Sequence, residues 1–269
     1  MENTLSLEKY LERIGYSGSL EPTAETLAAL QKAHLLSVPY ENLDLLAGRE
    51  RETTLAVGEL YEKIVLRRRG GYCFELNGLF AWLLRSLGFS LMEHFGRWLA
   101  GETLAVPKRR HRIARVTIDG RQWIADVGVG RRAPLTPLLL EYGLEQMREG
   151  VLWRVVWDER LGAIVQCQGQ DGEFTNFYSF DDSPQENLDF TYAHYYYAHA
   201  PQSVFRQKTM VHLPSEHGRC SIATELDPET GLPQRKFSFT RDDGSTGSFF
   251  LYSEAQFRDI LQRCFGIVL

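Results

Sequence analysis

Cys73 follows two glycines and a tyrosine in the stretch RRRGGYCFELNGLF (residues 67–80), at the start of a predicted helix. The free amide groups and the dipole of a helix N-terminus favour an anion, so a thiolate in this position is stabilised. The same amides can hold an oxyanion during acyl transfer. Gly70 and Gly71 can turn the chain sharply with positive φ angles. The setting indicates a nucleophilic cysteine, although the local sequence equally allows a small apolar cysteine packed under a glycine turn.

A nucleophilic thiol needs a base, and the base needs a group that orients it. His111 opens a predicted strand, and Asp126 lies near the end of the next one, in WIADVGVG. A turn at Asp119-Gly120 lies midway between them, so the two side chains can face each other across an antiparallel hairpin. A carboxylate in this apolar run also needs a partner. The spacing predicts an Asp–His pair, while a lone histidine at a strand start is more often structural.

The composition excludes several classes of function. The chain has 269 residues, 43% of them hydrophobic, which is ample for a sizeable core. Its net charge of −5 gives no general reason to bind nucleic acid or an anionic membrane. We find neither a signal peptide nor a bilayer-spanning stretch, and therefore expect a cytoplasmic protein. Four widely separated cysteines suggest neither a disulfide framework nor a zinc site: Cys73, Cys167, Cys220 and Cys264.

Three kinds of segment follow one another along the chain. Residues 1 to about 90 show helical spacing, and the wide apolar stripe from Cys73 to Leu87 predicts a buried helix. The middle third has strand-like runs joined by turns, which is typical of an antiparallel barrel or a strongly curved sheet. From Pro201 onward, more strand-like runs lead into a last helix. The order predicts an α+β protein. Three helix caps are expected: Ser6, Thr23 and Ser253.

Five blocks stand in order along the chain: SVPYENLD (37–44), RRGGYCFELN (68–77), HRIARV (111–116), WIADVGVG (123–130) and HAPQSVFR (199–206). They resemble those of the arylamine N-acetyltransferases, in the same order and over essentially the whole chain. The second block is similar to the one that carries the family's nucleophile, and the third and fourth to those with its histidine and aspartate. The resemblance therefore implies a catalytic triad of Cys73, His111 and Asp126.

The family fold implied by the resemblance agrees with the three segments. It has an N-terminal helical bundle that carries the nucleophile, a central antiparallel β-barrel that carries the histidine and the aspartate, and a C-terminal mixed α/β lid. Its core is like that of the cysteine proteases. We predict domains over residues 1–90, 91–200 and 201–269.

The resemblance also implies a ping-pong acetyl transfer with acetyl-coenzyme A as the acyl-donor substrate. Cys73 takes the acetyl group as a thioester, and an arylamine, a hydrazine or an N-hydroxyarylamine then removes it. We expect small-molecule substrates only, with no permanently bound cofactor and no metal. The oligomeric state is open, as is the choice between detoxification of aromatic amines and a dedicated biosynthetic step.

One position departs from the family pattern. Val129 stands between two glycines where the family usually has an aromatic residue that lines the acceptor pocket. We expect a wider pocket, or one less able to stack a ring, and Phe205 matches a second pocket aromatic that partly compensates. Arg109 and Arg110, which precede His111, can help to hold coenzyme A through its phosphates, or can be a solvated strand end.

Glu41 and Arg69 lie in matching blocks and can pair, which we interpret as scaffolding.

The closest alternative function is an amide synthase that joins a larger acyl chain to an amine in natural-product biosynthesis, since Val129 gives such a substrate room. Thiol proteases and transglutaminases share the Cys–His–Asp order but not the full-length match. A non-catalytic binding protein is disfavoured because all three triad positions are filled.

Overall fold

The N-terminal segment forms helices around a common core. A computed structural model describes residues 5–46, 54–104, 106–130, 134–215, 218–241 and 243–269. The caps predicted at Ser6 and Thr23 are confirmed, because each side chain accepts a hydrogen bond from the first turn. The elements are α1 (Leu7–Ile14), α2 (Ala24–Ser37), the two-residue strand β1 (Tyr40–Glu41), α3 (Val57–Tyr61), a π-helical turn (Glu62–Leu66) and α4 (Cys73–Ser86).

Helix α4 is buried on both sides, as its wide apolar stripe predicts. Leu79 and Leu83 are fully buried in a core shared with Leu27 and Leu30 of α2. The same core reaches Val116 on the neighbouring sheet. Since α4 lies between the helices and the sheet, its first residue is placed where the two meet.

The central segment is an eight-stranded antiparallel sheet that closes almost into a barrel, and the predicted barrel is thereby confirmed. Neighbouring strands follow the order β5-β4-β3-β2-β9-β8-β7-β6. The hairpin at Asp119-Gly120 is also confirmed, with both residues at positive φ. The strands are β2 (Ser90–Trp98), β3 (Arg109–Ile118), β4 (Arg121–Ala125), β5 (Leu138–Leu139), β6 (Gln146–Arg148), β7 (Val151–Asp158), β8 (Gly162–Gln168) and β9 (Phe174–Phe180).

A side chain links the two edges of this sheet. The Gln146 amide on β6 donates to the Leu139 carbonyl of β5 over 2.9 Å and accepts from the Leu139 N–H over 2.9 Å. These two bonds reproduce the pattern of a strand bridge, so the buried edges find partners although β5 and β6 do not pair through their backbones.

The C-terminal segment combines helices with a second antiparallel sheet of order β1-β10-β11-β12-β13. The last helix packs Phe257 and Leu261 against Val211 and Ile222 of this sheet. The Ser253 cap is confirmed. The elements are a 3₁₀ turn (Asn187–Asp189), α5 (Phe190–His199), α6 (Val204–Gln207), β10 (Met210–Ser215), β11 (Gly218–Leu226), β12 (Pro233–Arg241), β13 (Thr246–Leu251) and α7 (Glu254–Phe265).

Helix α5 is an element that the sequence analysis does not predict. Its buried residues Phe190, His194, Tyr197 and Ala198 recur at helical spacing, so the signal is present but masked by a nearly continuous aromatic run. The division into three domains stays a prediction. No helix within the described ranges is long and apolar enough to cross a membrane.

Candidate active site

The two glycines before Cys73 are needed for close packing. Neither glycine has a positive φ, so the prediction of a left-handed turn at Gly70-Gly71 was wrong. In this loop Arg68 has the left-handed backbone conformation, with φ 53°. A Cβ on Gly70 would lie 1.9 Å from the Pro39 carbonyl oxygen, and one on Gly71 would lie 2.8 Å from a Glu75 carboxylate oxygen. Backbone and side chains therefore fill the space that any larger residue would need.

Cys73 is the first residue of α4, in the helix turn that the sequence predicts. Its side chain is buried, and its Sγ donates to the Arg110 carbonyl oxygen over 3.4 Å. The preceding amide, of Tyr72, donates to the Glu75 carboxylate over 3.0 Å, which fixes the start of the helix. The thiol is thereby held at the junction of α4 and strand β3.

His111 and Asp126 are in direct contact. His111 lies on β3, Asp126 directly follows β4, and the imidazole Nε2 is 2.6 Å from the carboxylate Oδ2. The register pairs Ala114 with Ala125, so the contact is diagonal across the two strands. The structure thus brings together the two side chains whose pairing the hairpin spacing predicts.

Opposing effects act on the charge of His111. Burial lowers the pKa of its imidazole, but the charge of Asp126, the hydrogen bond to Asp126 and a hydrogen bond to Cys73 raise it more, to about 10. The ring is therefore a cation at neutral pH, between a carboxylate and a sulfur. This is the arrangement that stabilises a thiolate.

Asn77 holds the aspartate in place, and sequence reasoning missed it. Its Nδ2 donates to Asp126 Oδ1 over 2.8 Å, and its Oδ1 accepts from the Val127 amide over 2.8 Å. The Gly128 amide also donates to Asp126 Oδ1 over 2.8 Å. Asn77 follows Cys73 by four residues, which places both on one face of α4, and this spacing is the signal that could have identified it.

Aromatic rings enclose the histidine. The Tyr178 ring centroid is 5.1 Å from that of His111, and the Trp98 centroid is 5.8 Å away. The Tyr178 hydroxyl hydrogen-bonds to Asp126; burial first, and then this carboxylate, raise the pKa of the phenol well above its ordinary value. Water is largely excluded from the imidazole, which strengthens its electrostatic interaction with the Asp126 carboxylate.

Gly128 allows α4 and the chain after β4 to meet. A Cβ at this position would lie 2.7 Å from the Cys73 Cα and 2.6 Å from Asn77 Nδ2. The glycine in this part of WIADVGVG is therefore required by the closeness of Cys73, and its neighbour Val129 is carried into the wall of the adjacent cavity.

Cys73 and His111 border a cavity of about 340 Å³. Both predicted pocket residues, Val129 and Phe205, line it. The cavity lies between the barrel and the second sheet, so residues from all three segments contribute. Its walls are formed by Tyr40, Cys73, Trp98, Arg110, His111, Gly128, Val129, Gly130, Val204, Phe205, Met210, Val211, His212, Ser221, Ile222 and Ala223.

The two arginines before His111 are placed differently. Arg110 lines the cavity, and its Nη2 lies 3.6 Å from Glu102 Oε2. Arg109 is absent from the cavity wall and forms an ion pair with Asp181. Only Arg110 is therefore positioned to meet a ligand inside the cavity.

The predicted pairing of Glu41 with Arg69 is confirmed. Arg69 Nε and Nη2 donate to Glu41 Oε1 over 3.0 and 2.7 Å, and both residues are buried. This pair ties strand β1 to the loop that leads into Cys73. Within the described ranges, no group of three histidine, cysteine, aspartate or glutamate side chains could hold a metal ion.

Comparisons with known proteins agree over nearly the whole chain. The family model for N-acetyltransferase matches residues 23–269. The arylamine N-acetyltransferase / N-hydroxyarylamine O-acetyltransferase of Salmonella typhimurium is 36% identical over 222 residues, covering 78% of this chain and 74% of that protein. The arylamine N-acetyltransferase of Mycolicibacterium smegmatis is 32% identical over 272 residues, covering 98% and 93%.

Solved structures give the same result. The arylamine N-acetyltransferase of Salmonella typhimurium matches with a TM-score of 0.85 at 30% identity, covering 99% of this chain and 92% of that one. The arylamine N-acetyltransferase of Mycobacterium marinum, solved in complex with CoA, matches with a TM-score of 0.84 at 30% identity, covering 97% and 93%.

Proposed function

The chain belongs to the arylamine N-acetyltransferase family and is an acyltransferase, and from this premise we propose a specific reaction. Cys73 takes an acetyl group from acetyl-coenzyme A as a thioester and passes it to an arylamine, a hydrazine or an N-hydroxyarylamine. The observation that carries this proposal is the placement of the buried His111 imidazole, whose Nε2 lies 2.6 Å from the Asp126 carboxylate and which borders the same cavity as the Cys73 thiol.

In the first half-reaction, the Cys73 thiolate attacks the thioester carbonyl carbon of acetyl-coenzyme A. A carbon–sulfur bond to Cys73 forms, and the bond to the coenzyme sulfur breaks. His111 gives its proton to the leaving thiolate, and Asp126 keeps the ring oriented while its charge changes. The free amides at the start of α4 are suited to hold the oxyanion of the tetrahedral intermediate.

In the second half-reaction, the neutral amine attacks the carbonyl carbon of the acetyl-cysteine. The carbon–nitrogen bond forms, the amine proton passes to His111, and the Cys73 thiolate leaves with the electrons of the carbon–sulfur bond. The weakly basic arylamine suits this step because it is uncharged at pH 7. The resulting thiolate–imidazolium pair is the state from which the cycle starts again.

Both substrates are small molecules in this proposal, and no permanently bound cofactor takes part. Arg110 is the candidate for a contact to coenzyme A, because it lines the cavity beside the thiol. Arg109 is a weaker candidate since Asp181 already pairs with it.

Intact-protein mass spectrometry tests the first half-reaction directly. Incubation with acetyl-coenzyme A should add one acetyl group to the wild-type protein, and subsequent addition of an arylamine should remove it. C73A should gain nothing. C167A, which changes a cysteine of the barrel core, is the matched control and should still be acetylated.

A wild-type protein that gains no mass would contradict acetyl transfer. The same experiment with a longer acyl-coenzyme A then distinguishes the alternative. Gain of the longer chain alone would favour an amide synthase, for which the small Val129 side chain leaves room beside Cys73.

A further inference from the structure

Tyr40, on strand β1, is held in place from two sides. Its strand pairs with β10 in the second sheet. On the other side, Tyr40 forms a bridge to Gly71, which precedes Cys73 by two residues. The Glu41 amide donates to the Gly71 carbonyl oxygen over 2.8 Å, and the Gly71 amide donates to the Pro39 carbonyl oxygen over 3.3 Å. The backbone at position 40 is therefore fixed relative to the nucleophile.

The Tyr40 ring and Cys73 lie against the same short segment, residues 128–130. A Cβ on Gly128 would lie 2.7 Å from the Cys73 Cα, and one on Gly130 would lie 3.4 Å from the Cγ of the Tyr40 ring. Both residues line the cavity, together with Val129 from the middle of this segment. Tyr40 also packs against the apolar cluster to which Cys73 belongs. The tyrosine thus forms a wall of the cavity beside the thiol.

The hydroxyl of Tyr40 makes no hydrogen bond to any residue in the described part of the chain, and thus none to the sulfur of the nucleophile. Other phenols near the triad differ in this respect. The Tyr72 hydroxyl lies 2.6 Å from His194 Nδ1. The Tyr178 hydroxyl hydrogen-bonds to Asp126. A phenol that lines a cavity and has no such partner is available to a ligand there.

The charges around Tyr40 determine what this hydroxyl can do. Burial first, and then the charge of Cys73, raise the pKa of the phenol well above its ordinary value, although the charge of Arg110 lowers it. The carboxylates of Glu75 and Asp126 raise it further. The phenol therefore keeps its proton at neutral pH and acts as a hydrogen-bond donor. Such a donor stabilises negative charge that develops in the cavity.

We propose that the Tyr40 hydroxyl is a catalytic group that donates a hydrogen bond to the oxyanion of the tetrahedral intermediates formed on Cys73. This inference rests on the proposed function and adds a residue to it. When the thiolate adds to the carbonyl carbon, one electron pair of the carbon–oxygen double bond moves to the oxygen, which accepts from Tyr40. The pair returns when the leaving group departs. Tyr40 keeps its own proton throughout, and His111 transfers the protons.

The oxyanion suits this hydroxyl better than the thiolate does. The thiolate exists before the reaction and already meets the His111 imidazole. A carbonyl carbon bonded to Sγ extends into the cavity, so its oxygen reaches beyond the sulfur, to which the Tyr40 hydroxyl does not bond. A fixed donor that finds its acceptor only in the intermediate lowers the barrier without tightening the binding of the substrate.

Two reactions of the same sulfur test the proposal. Acetylation by acetyl-coenzyme A passes through an oxyanion, whereas alkylation by iodoacetamide is a direct displacement without one. In Y40F, the rate of Cys73 acetylation at saturating acetyl-coenzyme A should fall about tenfold to a hundredfold, as expected when one donor to an oxyanion is lost. Quenched-flow intact-protein mass spectrometry measures this rate. Alkylation should stay within about twofold of the wild-type rate, since the thiolate itself is unchanged.

Two further measurements in Y40F separate the hydroxyl from the ring. The acetyl-coenzyme A concentration that gives the half-maximal acetylation rate should change less than about threefold, because the lost bond forms only in the intermediate. Removal of the acetyl group by an arylamine should slow by a factor similar to that of acetylation, because it forms the second tetrahedral intermediate. Urea unfolding should match that of the wild type, since the ring stays against Gly130 and the hydroxyl has no protein partner to lose.

Y197F is the matched control. Tyr197 belongs to the same apolar cluster as Cys73, but it is not among the described residues that line the cavity. Its pKa is raised to about 12, mainly by burial, so its phenol is protonated like that of Tyr40. Y197F should be acetylated at the wild-type rate.

The outcomes separate this proposal from the one on which it rests. No acetylation of the wild-type protein would overturn the proposed function itself. Acetylation of Y40F at the wild-type rate would overturn only the role of Tyr40. An equal loss of acetylation and alkylation would also overturn it, because the hydroxyl would then act on the thiolate. A loss in Y197F as large as that in Y40F would decide against it as well.

Discussion

At the scale of single residues, the geometry around His111 explains why a buried imidazole carries a charge. Burial lowers the pKa of this imidazole, yet Asp126, whose carboxylate lies 2.6 Å from Nε2, and Cys73 together raise it more, to about 10. The carboxylate is in turn held by Asn77. The ring cannot rotate away from either neighbour without breaking these contacts, so the cation is fixed beside Cys73.

The four cysteines should differ strongly in reactivity towards iodoacetamide at pH 7. Cys73 borders the cavity beside the His111 cation, whereas Cys167 is buried in the barrel core. Burial raises the pKa of both Cys220 and Cys264, so these two thiols stay protonated. We expect Cys73 to be alkylated at least about tenfold faster than the other three, as thiolate content determines the rate.

Peptide mapping after timed alkylation measures these rates. H111Q removes the cation and should slow the labelling of Cys73 while leaving that of Cys220 and Cys264 unchanged. Equal labelling of all four cysteines in the wild-type protein would contradict an activated thiol at position 73.

Some of the site residues could be predicted from the sequence, and others could not. Cys73 and the Asp–His pair are recognisable because a glycine-flanked helix start and a hairpin are local patterns. Tyr178, which packs against the His111 ring, and His212, which lines the cavity, were missed. They lie on β9 and β10, and nothing local indicates that these strands come close to Cys73. Only the assembled sheets bring them there.

At the scale of elements, the pair of helices α1 and α2 is joined by a buried histidine. His34 Nδ1 lies 3.0 Å from the Tyr10 hydroxyl, and its ring meets the edge of Phe80 on α4. Burial first, and then the charge of Arg13, lower the pKa of His34 to about 3. The histidine is therefore neutral in the folded protein at every moderately acidic pH.

The helical bundle should accordingly lose stability in acid through His34. The pKa is about 6.5 in the unfolded chain and about 3 in the folded one. This contribution to stability is complete above pH 6.5 and is lost as the pH falls towards 3, because only the unfolded chain takes up the proton. Between pH 7 and pH 4.5 the loss is at most about 2–3 kcal/mol of unfolding free energy.

H34N provides the matched variant, since its side-chain oxygen can accept from the Tyr10 hydroxyl but does not titrate. Urea unfolding of both proteins at several pH values measures the difference. The unfolding free energy of H34N should depend less on pH than that of the wild type over this range. If the unfolding free energies of the two proteins changed equally with pH, His34 would take up a proton as readily in the folded state as in the unfolded chain.

Elements with local signals are the ones that the sequence predicts well. The caps at Ser6, Thr23 and Ser253 and the hairpin at Asp119-Gly120 each depend on residues a few positions apart. The two glycines before Cys73 show the limit, because their need for close packing comes from the Pro39 carbonyl on a different element. The two adjacent glycines suggested a left-handed turn, whereas the close approach of the Pro39 backbone is the reason that glycine is needed at position 70.

At the scale of the whole molecule, the candidate site lies where the three segments meet, and side chains join them there. Gln31 of α2 accepts from the Asp126 amide over 3.1 Å and so connects the helices to the barrel. Asn42, directly after β1, connects the N-terminal segment to the second sheet. These polar links, together with the apolar contacts of Cys73 and Phe74 with the residues around Phe205, join the segments at the cavity. No single segment reveals this property.

The hydrogen bonds of Asn42 predict how firmly the C-terminal segment is held to the N-terminal one. Its Nδ2 donates to the carbonyl oxygens of Phe205 and Lys208 over 2.8 Å each, and its Oδ1 accepts from the Met210 amide over 2.8 Å. N42A leaves these groups unpaired, so the free energy of unfolding should fall by about 2–4 kcal/mol. Hydrogen exchange of the Met210 amide should accelerate, whereas N176A, on the barrel surface, should change neither quantity. Because Phe205 and Met210 line the cavity, N42A should also raise KM for the amine. If the Met210 amide of N42A exchanges at the wild-type rate, other contacts hold the C-terminal segment in place.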